Sequence, residues 1–241
     1  MPGGSSIIRR FVQVMSSLFT LPVPGQRARI AGVHGSADAL AVARLAQPGR
    51  LLTVVTAFAA DAQRLLDELA WFDAIDGSDF AHRVTALRCG GPSRAASVRA
   101  GLRSMQAAAH DWILVHDAAR PCVTHQMIDR LIDEVGEDDA GGILALPVAD
   151  TLKRAGDGVR IAATVPRAGL WAAQTPQMFR HGMLCAALED APLEAITDEA
   201  SAMERMGVRP RLVLGGAANV KVTLPSDLAL AERMLGMDGA R

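Results

Sequence analysis

Lysine is nearly missing from this 241-residue chain: of its 25 basic residues only Lys153 and Lys221 are lysines, and the other 23 are arginines. No position before 153 supplies an ammonium side chain. Cysteine is scarce as well. Cys89, Cys122 and Cys185 are odd in number and far apart, which argues against a disulfide framework or a CxxC metal site and makes a reducing cytoplasm the expected location. Charge of one sign is not in excess. A net charge of −1 removes the basic footprint of a general nucleic-acid binder, so no nucleic-acid partner is expected. Long apolar runs are wanting too: the longest, near Leu51 to Ala60, falls far short of the roughly 20 residues a membrane-spanning helix needs. Arg9-Arg10 followed by Phe11 to Val23 has some targeting character. Gln13, Ser16, Ser17 and Thr20 interrupt it and no A-x-A-like cleavage site follows, so neither a signal peptide nor a membrane partner is expected.

What is present suits one α/β domain. Half the residues are hydrophobic, with 22 Gly and 12 Pro, enough for an ample core. Short apolar runs alternate with amphipathic stretches. Phe19 to Val23, Leu51 to Thr56, Val84 to Leu87, Asp111 to His116 and Gly141 to Leu146 read as strands. Arg94 to Ala109 and His125 to Val135 have helical spacing, with apolar residues at Val98, Leu102 and Met105, then at Met127, Ile128, Leu131 and Ile132. Such alternation implies a mostly parallel sheet, whose ligands bind beyond the carboxyl ends of its strands. The loops Gly90 to Arg94 and Asp117 to Pro121 lie at such ends. From Pro147 to Gln174 the pattern reads as two extended segments about a polar turn, a hairpin-like arm. Helices at His181–Leu188 and Thr197–Met206, a strand at Arg211–Leu214, a strand-like NVKVT at 219–223 and a helix from Ser226 complete the chain. The expected organisation is an N-terminal extension at 1–14, loose and extended, and a single domain at 15–241 with its arm at about 147–174.

Three segments carry chemistry. Gly90-Gly91-Pro92-Ser93-Arg94 opens a helix, where backbone N–H groups attract phosphate and Arg94 and Ser97 can add donors; an ordinary strand–helix turn explains the segment equally well. Neither GxGxxG nor a Walker A pattern is present, which leaves dinucleotide and P-loop chemistry unsupported. In VHDAARP, Asp117 can hold a divalent cation or a ribose hydroxyl, and Arg120 can meet phosphate bidentately; a structural Asp–Arg pair is the plain alternative. His116 reads as a packed residue rather than a general base. Lys221 on NVKVT is a retained lysine in an arginine-rich chain, which suggests need of a compact point charge. Thr197-Asp198-Glu199 reads as a helix start with Thr197 as N-cap and an acidic first turn.

In this order and spacing, GGPSRAASVRAGL, WILVHDAARPCV, GGILALPVADTLKRA, GLWAAQTPQMF, TDEASAME and NVKVTLPSDLALAE closely resemble the 2-C-methyl-D-erythritol 4-phosphate cytidylyltransferases of bacterial isoprenoid synthesis. The resemblance runs from about Ala81 to Met234. It implies a Rossmann-like nucleotidyltransferase sheet, mostly parallel, with a protruding β-arm for dimerisation. It also implies transfer of a cytidylyl group from CTP to the polyol phosphate, with release of pyrophosphate and with Mg²⁺ or another divalent cation. By the resemblance, Arg167 and Lys221 position the attacking phosphate, and Thr151 and Arg167 on the arm reach the sugar phosphate in the other subunit of a homodimer. Gly90, Gly91, Ser97, Asp117, Arg120 and Thr197 are implied nucleotide or substrate contacts, with Asp117 as the metal ligand. A cytidylyltransferase for another polyol phosphate, such as ribitol 5-phosphate, shares the QTPQMF and arm motifs and stays open.

One departure accompanies the match. The family opens with a glycine-rich loop and a Pro-Lys pair that wrap the CTP phosphates, whereas here the matching place reads LPVPGQRARIAGVHGSADALAVARLAQPGR and holds no lysine. A missing preorganised charge at a transferring phosphoryl group costs about 3 kcal/mol, a factor of 10² to 10³. Two readings follow: a homologue of low turnover that serves as a nucleotide-binding or dimerisation module, or a compensated frameshift in a GC-rich gene across this stretch. Either way, about Pro22 to Arg50 is expected to be irregular.

Overall fold

The computed structural model describes residues 10–15, 51–56, 84–87, 89–189 and 191–238. Nine strands and five α-helices lie among them. β1 (Arg10–Met15), β2 (Leu51–Thr56) and β3 (Val84–Leu87) come first. Then follow α1 (Arg94–Ser104), β4 (Trp112–Asp117), α2 (His125–Val135) and β5 (Gly142–Pro147). The arm strands β6 (Leu152–Ala155) and β7 (Ile161–Val165) precede β8 (Trp171–Arg180) and α3 (His181–Glu189). The chain then forms α4 (Glu199–Arg205), β9 (Arg211–Leu214) and α5 (Pro225–Asp238).

Seven strands make one sheet in the order β3-β2-β1-β4-β8-β5-β9. β1 pairs in parallel with β2 and β4, β2 with β3, and β5 with β9. β8 alone runs against its neighbours β4 and β5, so the sheet is mostly parallel, as expected. All six residues of β4 are buried, with Trp112, Ile113, Leu114 and Val115 at 0–2 % exposure, because a central strand covered on both faces tolerates no polar alternation. The core against it gathers Val98 and Leu102 of α1, Ile143 of β5, Phe179 of β8 and Leu184 and Leu188 of α3. α2 turns Met127, Ile128, Leu131, Ile132 and Val135 inward on one face, and Thr124 caps it by accepting from the Met127 N–H. Truncating Phe179 to Ala in such a core costs about 3–5 kcal/mol.

Several boundaries differ from the sequence reading. The first sheet strand is Arg10–Met15, so residues 10–14, expected as loose extension, are paired in register between β2 and β4. RFVQVM carries Phe11, Val12 and Val14, aromatic and β-branched residues that favour a strand over a free tail. The strand expected at 19–23 and the irregular stretch expected at 22–50 lie outside the described residues. The arm is shorter than 147–174. β6 and β7 pair as a separate two-stranded ribbon, while Pro147 ends β5 and Trp171 to Gln174 begin β8. α1 ends at Ser104 rather than Ala109, where Asp111 takes the Ala108 N–H at 2.9 Å into a turn. NVKVT is not a strand: Lys221 sits in an irregular loop tied down by Val222 N–H to Ala119 C=O at 2.8 Å. Among the described residues no helix is long and apolar enough to cross a membrane.

Candidate active site

Asp117 is the last residue of β4, and the loop that follows it turns back through the Arg120 N–H to Asp117 C=O bond at 2.9 Å. At this carboxyl end lies a cleft of about 250 Å³, lined by Arg94, Asp117, Arg120 and Lys221 together with Gln174, Thr175, Gln177, Thr197 and Asp198. Asp117 is nearly buried, and both its oxygens are engaged. Oδ1 takes the Arg94 Nε–H at 2.7 Å, and Oδ2 faces Lys221 Nζ at 3.0 Å. Burial alone would raise this carboxyl, but the Arg94 and Lys221 charges outweigh it and hold it at about 2. Asp117 is therefore a carboxylate at neutral pH.

Arg94 is the hub of the charges. Besides Asp117 it grips Glu199 with both terminal nitrogens, at 2.6 and 2.9 Å. Burial would weaken its hold on the proton, yet Glu199 and then Asp117 reverse this and raise it above the ordinary arginine value. Glu199 is 1 % exposed and does not line the cleft. Arg120 donates to the carbonyls of Asn219 at 2.8 Å and Ala173 at 3.3 Å, and burial lowers its pKa despite Asp117. Its buried Nε has no hydrogen-bond partner among the described residues.

Behind the cleft, His116 is fully buried. Its Nε2 lies 3.0 Å from the Arg120 carbonyl, which can only accept, so Nε2 carries the proton and Nδ1 accepts from the Thr175 hydroxyl at 3.0 Å. Thr175 Oγ1 in turn accepts the Asp117 N–H at 3.0 Å. Desolvation drives the imidazole down to about 4, so it stays neutral and packs, as read from the sequence. Gln177 bridges the far wall: its Nε2 donates to Asp198 Oδ2 at 2.9 Å and its Oε1 accepts from the Ala200 N–H.

The structure brings Asp117, Arg120, Lys221 and Thr197 to this one cleft. Thr197 is exposed there and is not the N-cap of α4. Asp198 is, forming a reciprocal box with Ser201, because its carboxylate reaches the Ser201 N–H at 2.8 Å. Gly90, Gly91 and Ser97 do not line the cleft. Ser97 is buried, takes the Gly91 N–H at 2.9 Å and donates to the Ser93 carbonyl at 3.0 Å, so it shapes the turn from inside. A Cβ at Gly91 would lie 2.6 Å from that of Ala96, which is why the turn needs glycine. Thr151 and Arg167 are exposed on and beside the arm and are absent from the cleft lining of their own chain. Sequence reading missed Glu199, Thr175 and Gln177. A buried glutamate in TDEASAM looks like any solvated acidic first turn, and only the unusual count of polar residues in QTPQ hinted that they face inward.

A mostly parallel sheet that ends in a cleft holding the carboxylates of Asp117 and Asp198 and three cations is the architecture of a Rossmann-like nucleotidyltransferase. Residues 39–237 match the family model of 2-C-methyl-D-erythritol 4-phosphate cytidylyltransferase. The chain is 56 % identical over 197 residues to the 2-C-methyl-D-erythritol 4-phosphate cytidylyltransferase of Laribacter hongkongensis, covering 81 % of each chain. It is 54 % identical over 167 residues to that of Dechloromonas aromatica, covering 68 % of this chain and 72 % of the relative. A crystal structure of 4-diphosphocytidyl-2C-methyl-D-erythritol synthase superposes with a TM-score of 0.74 at 36 % identity, covering 95 % of this chain and 99 % of that one. This chain belongs to the 2-C-methyl-D-erythritol 4-phosphate cytidylyltransferase family.

Proposed function

We propose that the chain transfers a cytidylyl group from CTP to 2-C-methyl-D-erythritol 4-phosphate and that the reaction takes place in the cleft at the end of β4. The observation that carries this reading is the convergence of Asp117, Arg94, Arg120 and Lys221 on one small cavity. A phosphate oxygen of the polyol attacks the α-phosphorus of CTP, the bond to the bridging oxygen breaks, and pyrophosphate leaves with that oxygen. The nucleophile is already anionic, so no general base and no covalent enzyme intermediate are needed. The task is alignment and charge neutralisation. Lys221 pairs with Asp117 and is half exposed on its loop, which supports a role at the attacking phosphate. Arg120 lines the same cleft and adds fixed positive charge to it.

The donor set fits Mg²⁺. Among the described residues no group of three or more His, Cys, Asp or Glu side chains comes together, as an all-protein metal cage would require. Mg²⁺ is commonly held by one or two carboxylates plus substrate phosphates, and Asp117 is the ionised carboxylate that faces the cleft cations. When bound, the ion neutralises charge developing on the phosphates. The arm exposes Val159 in the turn between its strands and Ile161 at the start of β7, which supports a homodimer in which Thr151 and Arg167 serve the partner's cleft. Cys89, Cys122 and Cys185 form no disulfide, which supports a cytoplasmic location.

The test is CTP-dependent pyrophosphate release with methylerythritol phosphate. Release above background, lost when ribitol 5-phosphate replaces it, supports the reading. No release from an intact dimer at high enzyme concentration overturns it, and favours the nucleotide-binding module that the lack of any lysine before Lys153 points to.

A further inference from the structure

We propose that Glu199 is a positioning residue that shares the charge of Arg94 with Asp117 and so leaves the Asp117 carboxylate, paired as it is with Arg94 and Lys221, enough negative charge to hold a divalent cation. The inference rests on the reading of Asp117 as the cation's carboxylate. Glu199 itself is shut away from the cleft, at 1 % exposure, and reaches it only through the guanidinium it grips at 2.6 and 2.9 Å. That fork commits two of the three Arg94 nitrogens to Glu199 and leaves only Nε for Asp117. The four groups Glu199, Arg94, Asp117 and Lys221 form a chain with two charges of each sign. Remove the Glu199 charge and the remainder is net positive, with Asp117 as the sole anion left to both cations. A carboxylate so neutralised is a poor ligand for a divalent cation but a better surrounding for free phosphate.

The two effects have opposite signs, which separates this role from a merely structural one. Calorimetric titration of CTP into the protein, once with Mn²⁺ and once with EDTA, gives the factor by which the cation tightens nucleotide binding. In Glu199→Gln this factor is expected to fall about tenfold while affinity in EDTA stays equal or improves. In the double variant Arg94→Gln/Glu199→Gln, which leaves no buried charge unpaired, the factor should return to within about threefold of the wild type. A folded Glu199→Gln protein with the wild-type factor overturns the proposal, and so does a parallel loss in Mn²⁺ and in EDTA. Should Glu199→Gln fail to fold, the double variant decides: recovery supports the proposal and a tenfold deficit overturns it. Asp117→Asn separates the two readings, because a factor unchanged there removes Asp117 as the cation's ligand, whatever Glu199 does.

Discussion

The cleft and the arm are built on opposite economies of contact. At the end of β4 the charged groups answer one another within the chain: Asp117 with Arg94 and Lys221, Arg94 with Glu199, Arg120 with two carbonyls. The arm, some thirty residues further on, leaves Val159 93 % and Ile161 69 % exposed, and its polar residues Thr151 and Arg167 face solvent. A region that satisfies itself can be broken by single substitutions and read in one chain. A region that does not is legible only against a partner, and predictions that contrast the two follow from that difference.

The largest effect belongs to the cleft. Lys221→Ala should lower the rate of pyrophosphate release by about 10²–10³, or 3–4 kcal/mol of transition-state stabilisation. Asp117 keeps its Arg94 bond in that variant, so the thermal midpoint should move little. An unchanged rate in steady-state assays would mean that Lys221 is not the cation at the attacking phosphate.

Next comes acid. His116 is held neutral with a pKa near 4, against 6.5 in the unfolded chain, so the unfolded state binds the extra proton between those values. Stability therefore rises with pH from about 4 to 6.5 and is full above that window, a span of about 3 kcal/mol. Asp117 acts elsewhere. Its lowered pKa contributes stability above 3.8 that is lost only as pH falls toward about 2, so it does not confound the measurement. Urea midpoints from pH 7 to 4 should fall in the wild type and flatten in His116→Gln. A slope that survives the substitution would place the proton elsewhere.

Thr175→Val is smaller. It keeps the shape but strands the buried Asp117 N–H and removes the hydroxyl that donates to His116 Nδ1, at about 1–3 kcal/mol, checked by chemical denaturation at pH 7. Loss of less than half a kcal/mol would show that neither group depends on the hydroxyl.

How far these regions were legible in the sequence follows from the same physics. β4 could be read because a strand buried on both faces must be a continuous apolar run, and WILVHD is one. β8 escaped. Its inward residues Gln174, Thr175 and Gln177 are polar and owe their burial to partners on Asn219, His116 and Asp198, distant in sequence. NVKVT has strand propensity, but the Asn219 amide is bound to Thr175, Lys221 to Asp117 and the Val222 N–H to Ala119, and these tertiary contacts overrode the pattern. Of the cleft, Asp117, Arg120 and Lys221 came from motif order. Glu199 did not, since nothing local tells a buried acid from a solvated one.

The arm offers the subtlest test, because its residues act, on this reading, only across an interface. Arg167→Ala disables the arm and Lys221→Ala disables the cleft, and each homodimer should be nearly inactive. In a mixed dimer one site pairs the intact cleft of the Arg167→Ala protomer with the intact arm of the Lys221→Ala protomer, while the other site carries both defects. Random exchange makes half of the dimers mixed, each with one competent site of two, so activity should recover to about a quarter of the wild type. If both residues served the cleft of their own chain, no protomer in the mixture would hold an intact set and mixing would restore nothing. The recovery is only fourfold below wild type, yet it is qualitative in kind: two inactive proteins become active together, and only an arm that reaches its neighbour's cleft gives that result.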